Sequence, residues 1–112
     1  RGAIAAGIAA FSAANDGVLA AADLAAHQST WVEPISADYR GHRLYEIPPN
    51  GQGLAALLAL NLLETFDVGG HPLGSPECLH LRIEAMKLAF ADRNRFVADP
   101  EFAAVPVEAL LD

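Results

Sequence analysis

The chain has 112 residues, of which 53% are hydrophobic and 19% are charged, so it can form one core and is too apolar to be intrinsically disordered. Its formal net charge is −7 at pH 7, and its seven Lys and Arg residues are scattered, which argues against nucleic-acid binding. The single cysteine, Cys78, excludes an internal disulfide bond and a cysteine metal cluster, and no apolar run is long enough to span a membrane.

Two helices are predicted in the first part of the chain. The spacing of Ile4, Ile8 and Phe11 predicts a helix over about residues 2–14, and the Asp16-Gly17 pair predicts its end. A short second helix follows over about residues 20–28. Its N-cap position is Ala20, whose side chain cannot accept a hydrogen bond, so we expect a weak helix start.

A β-hairpin is predicted over about residues 32–47, where strand-favouring aromatic and branched side chains replace the helical pattern. The two strands are expected at about 32–38 and 42–47, joined tightly through Tyr39-Arg40-Gly41-His42. Pro34 has no N–H for the strand ladder, so it is expected at a sheet edge or a bulge.

The third predicted helix, over about residues 53–65, is apolar on almost every side and therefore belongs inside a larger body. Asn61 lies on this helix and needs a hydrogen-bond partner, since an unpaired buried amide costs about 1–3 kcal/mol. We interpret this residue as a sign that further protein packs against the helix.

The longest predicted helix covers about residues 76–97 and ends before Asp99-Pro100. Ser75 suits its N-cap and Pro76 suits its first turn. One apolar stripe runs along it, formed by Leu79, Ile83, Met86 and Phe90. Val105 to Glu108 begins another element, and because the chain starts at Arg1 and stops within that helix, we expect it to be cut at both ends.

Two segments have residue types that could bind a ligand. The loop Asn50-Gly51-Gln52-Gly53 precedes a helix with free N–H groups and could bind an anion, but it lacks the phosphate-binding fingerprints, so a tight turn is the preferred interpretation. His80 and Glu84 have a spacing that can chelate a metal ion, but without an H-E-x-x-H pattern an exposed helix pair is preferred.

The remaining candidate groups are weaker. Four charged residues lie near the end of the longest helix: Asp92, Arg93, Arg95 and Asp99. We prefer the interpretation that they form a hydrogen-bonded cluster that fixes the turn; the alternative is that Arg93 or Arg95 binds a substrate carboxylate. No base is near any of the serines that could act as nucleophiles, namely Ser12, Ser29, Ser36 and Ser75. Cys78 has no cationic neighbour in sequence and is predicted to be a small buried hydrophobic residue. The residues alone therefore predict no catalytic, substrate-binding or metal site.

Three segments of the chain match the pattern of a known family: Tyr39-Arg40-Gly41, Glu46 to Pro49, and Ala89-Phe90-Ala91-Asp92-Arg93 followed by Asp99-Pro100. With these segments in the family's order, nearly the whole chain resembles the gamma-glutamyltranspeptidases and their acylase relatives. The resemblance implies the C-terminal part of the large subunit of an N-terminal-nucleophile hydrolase. The residue patterns predict a mainly α fold of about four helices with a small β-hairpin, and the resemblance implies that this is the helical part of an αββα enzyme, cut at both ends.

The resemblance also implies a mechanism whose chemistry lies outside these residues. In the family, the proenzyme cleaves itself, and a threonine at the new N-terminus attacks a γ-glutamyl carbonyl with its own α-amine as base. That threonine begins the small subunit, and the arginine that holds the glutamate carboxylate precedes Arg1. The resemblance therefore assigns no catalytic or substrate-binding residue to this chain, and it implies no metal or organic cofactor.

Two positions and one segment depart from the family pattern. Ala20 stands where the family usually has threonine or serine, and His27 stands where tyrosine is usual. Asn50 to Gly53 replaces a serine-rich segment and is closer to the acylase type. The donor is therefore left open between glutathione, another γ-glutamyl compound and a β-lactam side-chain amide.

The expected partner is the remainder of the parent enzyme, including its small subunit, rather than a nucleic acid or a membrane. Two alternatives stay open: a helical binding or assembly module with no enzymatic parent, and an acylase-type relative that has lost its nucleophile and has no activity of its own. Without the parent, the apolar faces of the first, third and fourth helices would be bare, so the isolated chain is expected to be inactive and to form dimers or larger oligomers. The compartment stays open, since an upstream signal would direct the parent to the periplasm or outside, whereas some relatives are cytoplasmic.

Overall fold

Helix α1, Ala3–Ala14, opens the part of the chain that the computed structural model describes, residues 2–112. It ends where Asp16 takes a left-handed conformation, with φ of 55°, and the Gly17 N–H donates to the Ser12 carbonyl at 2.8 Å. A Cβ at Gly17 would lie 2.5 Å from Ser12 Oγ, so only glycine fits this close approach. The Asp16-Gly17 stop is thus observed as predicted.

Helix α2, Ala21–Ala26, is shorter than the predicted range of 20–28. Ala20 is its N-cap, and the Ala20 N–H donates to the Asp23 carboxylate at 2.8 Å. This is only half of a capping box, because alanine offers no oxygen to the first free N–H groups of the helix. The helix leaves the α conformation at His27, whose ψ is 131°. Chain contacts group α1 and α2 into one unit, Arg1–Trp31, and the rest into a second unit, Val32–Asp112.

The hairpin of the second unit consists of β1, Ile35–Tyr39, and β2, His42–Glu46, with Ala37 paired to Leu44 at its centre. Arg40 and Gly41 have φ of 51° and 78°, which is the type I′ turn that matches the twist of the strands. The prediction that β1 begins at residue 32 is wrong. Pairing starts only after Pro34, which has no N–H to donate and lies outside the strand instead of at an edge or bulge within it.

Three helices and a 3-10 turn complete the second unit: α3, Gly53–Glu64; the turn, Val68–Gly70; α4, Pro76–Phe96; and α5, Val107–Leu111. Ser75 caps α4 as predicted, since its side chain accepts the Cys78 N–H at 3.2 Å. Helix α3 is central and packs against α4, β1 and α5. The predicted fold class, mainly α with a small hairpin, is confirmed, while the single-domain organisation stays a prediction.

The core of this unit is formed by Leu54, Leu58 and Ala59 of α3 with Ala89 of α4, and side chains from β1, α5 and the segment between α4 and α5 surround it. Asn61 finds its partner within the chain, because its Nδ2 donates to the Leu111 carbonyl at 2.9 Å. Asn61 is therefore no sign of further protein, contrary to our interpretation of the sequence.

Most of the large apolar side chains of α4 are exposed. Leu79, Ile83, Met86 and Phe90 are 40% to 56% exposed, whereas the buried residues of α4 are the small Cys78, Ala85 and Ala89. Ala89 packs into the core against α3, and Met86 and Phe90 of the predicted stripe line the surface beside that contact.

Candidate functional site

Arg40 joins the hairpin turn to the end of α3. Its backbone N–H donates to Glu64 Oε2 at 3.0 Å, its Nε lies 3.4 Å from the same oxygen, and its Nη2 donates to the Phe66 carbonyl. Its guanidinium carbon also lies 5.6 Å from the centre of the Tyr39 ring. Arginine is uncommon at a positive φ, and these contacts hold it there. We call this set of contacts the Arg40 clasp.

A cavity of about 570 Å³ lies next to the Arg40 clasp. Basic or ring nitrogen groups of Arg40, His71 and Arg82 line it, Cys78 forms part of its wall, and no acidic residue contributes to its lining. Cys78 is 1% exposed, which confirms its prediction as a small buried residue. The charged groups of this cavity can attract a carboxylate, but no hydrogen bond among the described residues joins His71 to the buried Cys78 thiol, as a base–nucleophile pair would require.

A second, mostly apolar cavity of about 630 Å³ lies between α3 and α4. Tyr39 and Arg82 line both cavities, so the two adjoin. The apolar surface continues along α4 to Ile83. We call this surface the α3–α4 groove, and its main lining residues are Ala56, Ala59, Leu60, Leu63, Met86, Phe90 and Ile83.

The loop Asn50–Gly53 is a turn that leads into α3, and the Glu46 side chain lies over that helix start. A Cβ added at Gly53 would lie 2.7 Å from Glu46 Cβ and 2.8 Å from Glu46 Oε2. A carboxylate near a helix N-terminus is electrostatically favourable. The chain's own Glu46 thus occupies the place where the loop could have offered an anion site, which supports the preferred interpretation as a turn.

The His80–Glu84 pair does not form a metal site. Glu84 accepts two hydrogen bonds from Lys87 Nζ, at 2.8 and 3.0 Å, and these bonds lower the pKa of the Glu84 carboxyl. Within residues 2–112, no three His, Cys, Asp or Glu side chains come together in a way that could hold a metal ion. In the same range no helix is both long and apolar enough to cross a membrane.

The charged residues at the end of α4 do not form one cluster. Asp99 fixes the following turn, because its Oδ1 accepts the Glu101 N–H at 3.0 Å. Arg93 Nη1 donates to Asn94 at 2.8 Å, and Arg95 stacks over the Phe96 ring at 5.1 Å. Asp99 therefore has the turn-fixing role that we preferred. The residues between 2 and 112 form no ion pair that links Asp92 or Asp99 to Arg93 or Arg95, as the preferred cluster would have required.

Asp38 and Arg43 form a two-pronged ion pair across the hairpin. Arg43 Nε and Nη2 donate to the two Asp38 carboxylate oxygens at 2.8 and 2.7 Å. These hydrogen bonds hold the pKa of Asp38 below its usual value and raise the pKa of Arg43. Asp38 and Arg43 are paired residues in the strand register, so the pair also fixes that register.

Sequence reasoning missed the Arg40 clasp, since Glu64 and Phe66 lie 24 and 26 residues from Arg40. One signal was available: an arginine precedes glycine in a tight turn, where asparagine, aspartate or glycine is favoured. An unfavourable residue in a turn indicates that its side chain has a role elsewhere.

The profile described as gamma-glutamyltranspeptidase matches residues 1–112. The chain is 47% identical over 90 residues to a glutathione hydrolase-like proenzyme of Bacillus subtilis, which covers 80% of this chain and 17% of that protein. The cephalosporin acylase structure from Bacillus halodurans is 48% identical, with a TM-score of 0.73, covering 97% of this chain and 20% of that one. The gamma-glutamyltranspeptidase structure from Helicobacter pylori is 30% identical, with a TM-score of 0.78, covering 100% of this chain and 32% of that one. The chain spans less than a fifth of the length of the curated relatives that it matches here, at 17% to 19%.

Proposed function

We propose that this chain, which belongs to the gamma-glutamyltranspeptidase family, is part of the large subunit of an enzyme that transfers or hydrolyses γ-glutamyl groups. The observation that carries the proposal is the family match over every residue of the chain, together with the structural match to a gamma-glutamyltranspeptidase. Several curated relatives are proenzymes, which fits an enzyme that is made as a precursor. The remainder of that precursor is the first partner we propose.

In the proposed reaction, a threonine outside these residues is the nucleophile. Its hydroxyl adds to the γ-glutamyl carbonyl while its own α-amine takes the hydroxyl proton. The C–N bond to the leaving amine then breaks, the amine takes up the proton, and an acyl-enzyme ester remains. Water or an acceptor amine attacks the ester, which gives hydrolysis or transfer and frees the threonine.

The described residues have a structural part in this proposal. Helices α3 and α4 form one packed layer, and the Arg40 clasp fixes the hairpin against the end of α3. The chain by itself is proposed to be inactive. Its exposed apolar helix faces, which include Ile4 and Phe11 of α1, should drive association of the isolated chain into dimers or larger oligomers.

A second donor class is favoured by one comparison. The cephalosporin acylase is more similar in sequence to this chain than the Helicobacter gamma-glutamyltranspeptidase is, at 48% against 30% identity. The amide of a β-lactam side chain is therefore the alternative acyl donor, and the same threonine chemistry would act on it.

The test is a donor assay with the full-length protein that contains this chain. The enzyme should release the amine from a chromogenic γ-glutamyl anilide, and a threonine-to-alanine variant of the new N-terminal residue should not. Hydrolysis of a cephalosporin side-chain amide instead, with no γ-glutamyl release, would support the acylase alternative. Loss of both activities would overturn the proposed function and favour a helical assembly module.

A further inference from the structure

Helix α4 buries small side chains and exposes most of its large apolar ones. The buried residues of α4 are the small Cys78, Ala85 and Ala89, while the larger Ile83, Met86 and Phe90 are 40% to 56% exposed. A helix normally buries its large apolar side chains, because burial of each contributes about 1.5–3 kcal/mol. The exposed stripe is therefore suited to a second contact, beside the one that α4 makes with α3.

The α3–α4 groove extends this stripe. The small Ala56 and Ala59 of α3 line it together with the larger Leu60 and Phe90, and the cavity of about 630 Å³ has mostly apolar walls. Small residues flanked by large ones leave space into which the side chains of another element can fit. The groove thus has the shape of a docking surface for one helix or strand.

Charge at one end of the groove restricts what can dock there. Arg82 lines the α3–α4 groove and the adjoining basic cavity, and it forms no ion pair with any residue between 2 and 112. Arg40 and His71 line the same cavity, but Arg40 is paired with Glu64, so Arg82 is the cation there that a docked carboxylate can reach. In a chain with a net charge of −7, this is a local basic site. It complements an apolar segment that carries a carboxylate at one end.

We propose that the α3–α4 groove is the docking surface for another segment of the same proenzyme, an apolar segment whose acidic side chain pairs with Arg82. The proposal rests on the proposed function in one respect, namely that a longer precursor exists. The relatives provide the basis for this occupant, because the matched region is 20% of the acylase chain and 32% of the Helicobacter chain. Most of each related chain is thus available to cover the groove.

The test compares two matched positions on α4 in the full-length protein. Ile83 lies in the α3–α4 groove and Leu88 lines a different, acidic surface, and both side chains are 56% exposed in the chain described here. Each is changed to cysteine, and the rate of reaction with a thiol reagent is measured. The native Cys78 is buried, so its background labelling is expected to be slow and is measured in the parent protein.

The Ile83→Cys thiol should react at least about tenfold more slowly than the Leu88→Cys thiol in the native protein, and at the same rate in denaturant. A native labelling rate of the Ile83→Cys thiol as fast as its rate in denaturant would overturn the proposal, whatever the rate at Leu88→Cys. Protection that disappears on dilution would also overturn it, since the occupant would then be a second copy of the protein. A reading frame that encodes nothing beyond these residues would contradict it as well.

Two variants of Arg82 test whether the docked segment carries a carboxylate that pairs with this residue. Arg82→Gln should raise the labelling rate of the Ile83→Cys thiol by about fivefold at low salt, because the segment opens more often when an ion pair is lost. Arg82→Lys should restore most of the protection, and high salt should reduce the difference between the two variants. An unchanged rate in Arg82→Gln would contradict the carboxylate partner. Labelling does not require activity, so an inactive protein with a protected Ile83→Cys thiol would reject the proposed function and leave the docking surface intact.

Discussion

Replacing Arg40 by asparagine tests whether the Arg40 clasp stabilises the fold. Asparagine accepts the positive φ of the type I′ turn and keeps the backbone N–H that donates to Glu64. It removes the guanidinium contacts to the Phe66 carbonyl and to the Glu64 carboxylate. The variant therefore separates the effect of the side chain from the effect of the turn.

The expected magnitude follows from three contributions. A hydrogen bond from a charged group contributes about 1.5–3 kcal/mol, and the value here lies at the lower end because the Arg40 and Glu64 side chains are 41% and 46% exposed. The ion pair itself adds at most about 1 kcal/mol at such exposure. Against this, asparagine relieves about 1 kcal/mol of strain at the positive φ. The free energy of unfolding should fall by about 1 kcal/mol.

The assay is chemical denaturation of the purified protein, with Arg95→Asn as the matched control. Arg95 stacks on Phe96 and forms no ion pair within residues 2–112, so its replacement should change stability by less than about 0.5 kcal/mol. If Arg40→Asn were as stable as the parent protein, or more stable, the Arg40 clasp would have no stabilising role. A double-mutant cycle with Glu64→Gln should give a coupling of up to about 1 kcal/mol.

Two further changes test the hairpin and the start of α3. The hydrogen bonds from Arg43 lower the pKa of Asp38 in the folded state, so their contribution to stability is present above the unfolded pKa and is lost as the pH falls through the folded pKa. The difference in stability between the parent protein and Asp38→Asn should therefore shrink at acid pH, which denaturation from pH 7 to pH 2 measures. Gly53→Ala should lower stability by about 1–3 kcal/mol, because its Cβ would overlap Glu46. Gly51→Ala is the control, since nothing lies within 4 Å of a Cβ there, and equal thermal unfolding midpoints for the two glycine variants would contradict this packing argument.

Local chemistry made most of the secondary structure predictable. Ser75 caps α4, Asp16-Gly17 ends α1, and Arg40-Gly41 forms the hairpin turn, each within a residue or two of its expected place. In all of these cases the deciding groups are close in sequence, so no knowledge of the packing was needed. The start of β1 was missed by three residues because the effect of Pro34 on pairing was underestimated.

Relations between distant residues could not be predicted in the same way. The period of the α4 stripe was correct, but periodicity gives the members of a face and does not say which neighbour covers it. Asn61 bonds to Leu111 and Arg40 bonds to Phe66, and only the folded chain brings those carbonyls within reach. The family resemblance supplied the proposed activity, which no pattern within these residues could have given.

The central claim, that this chain is part of an enzyme with an N-terminal nucleophile, is tested most directly by the covalent state of the full-length protein. Purified protein is run on a denaturing gel, and each band is analysed by mass spectrometry. We expect two chains, with residues 1–112 in the larger and a threonine at the N-terminus of the smaller. A single uncut chain with no such threonine would contradict the account and leave these residues as a structural module without that chemistry.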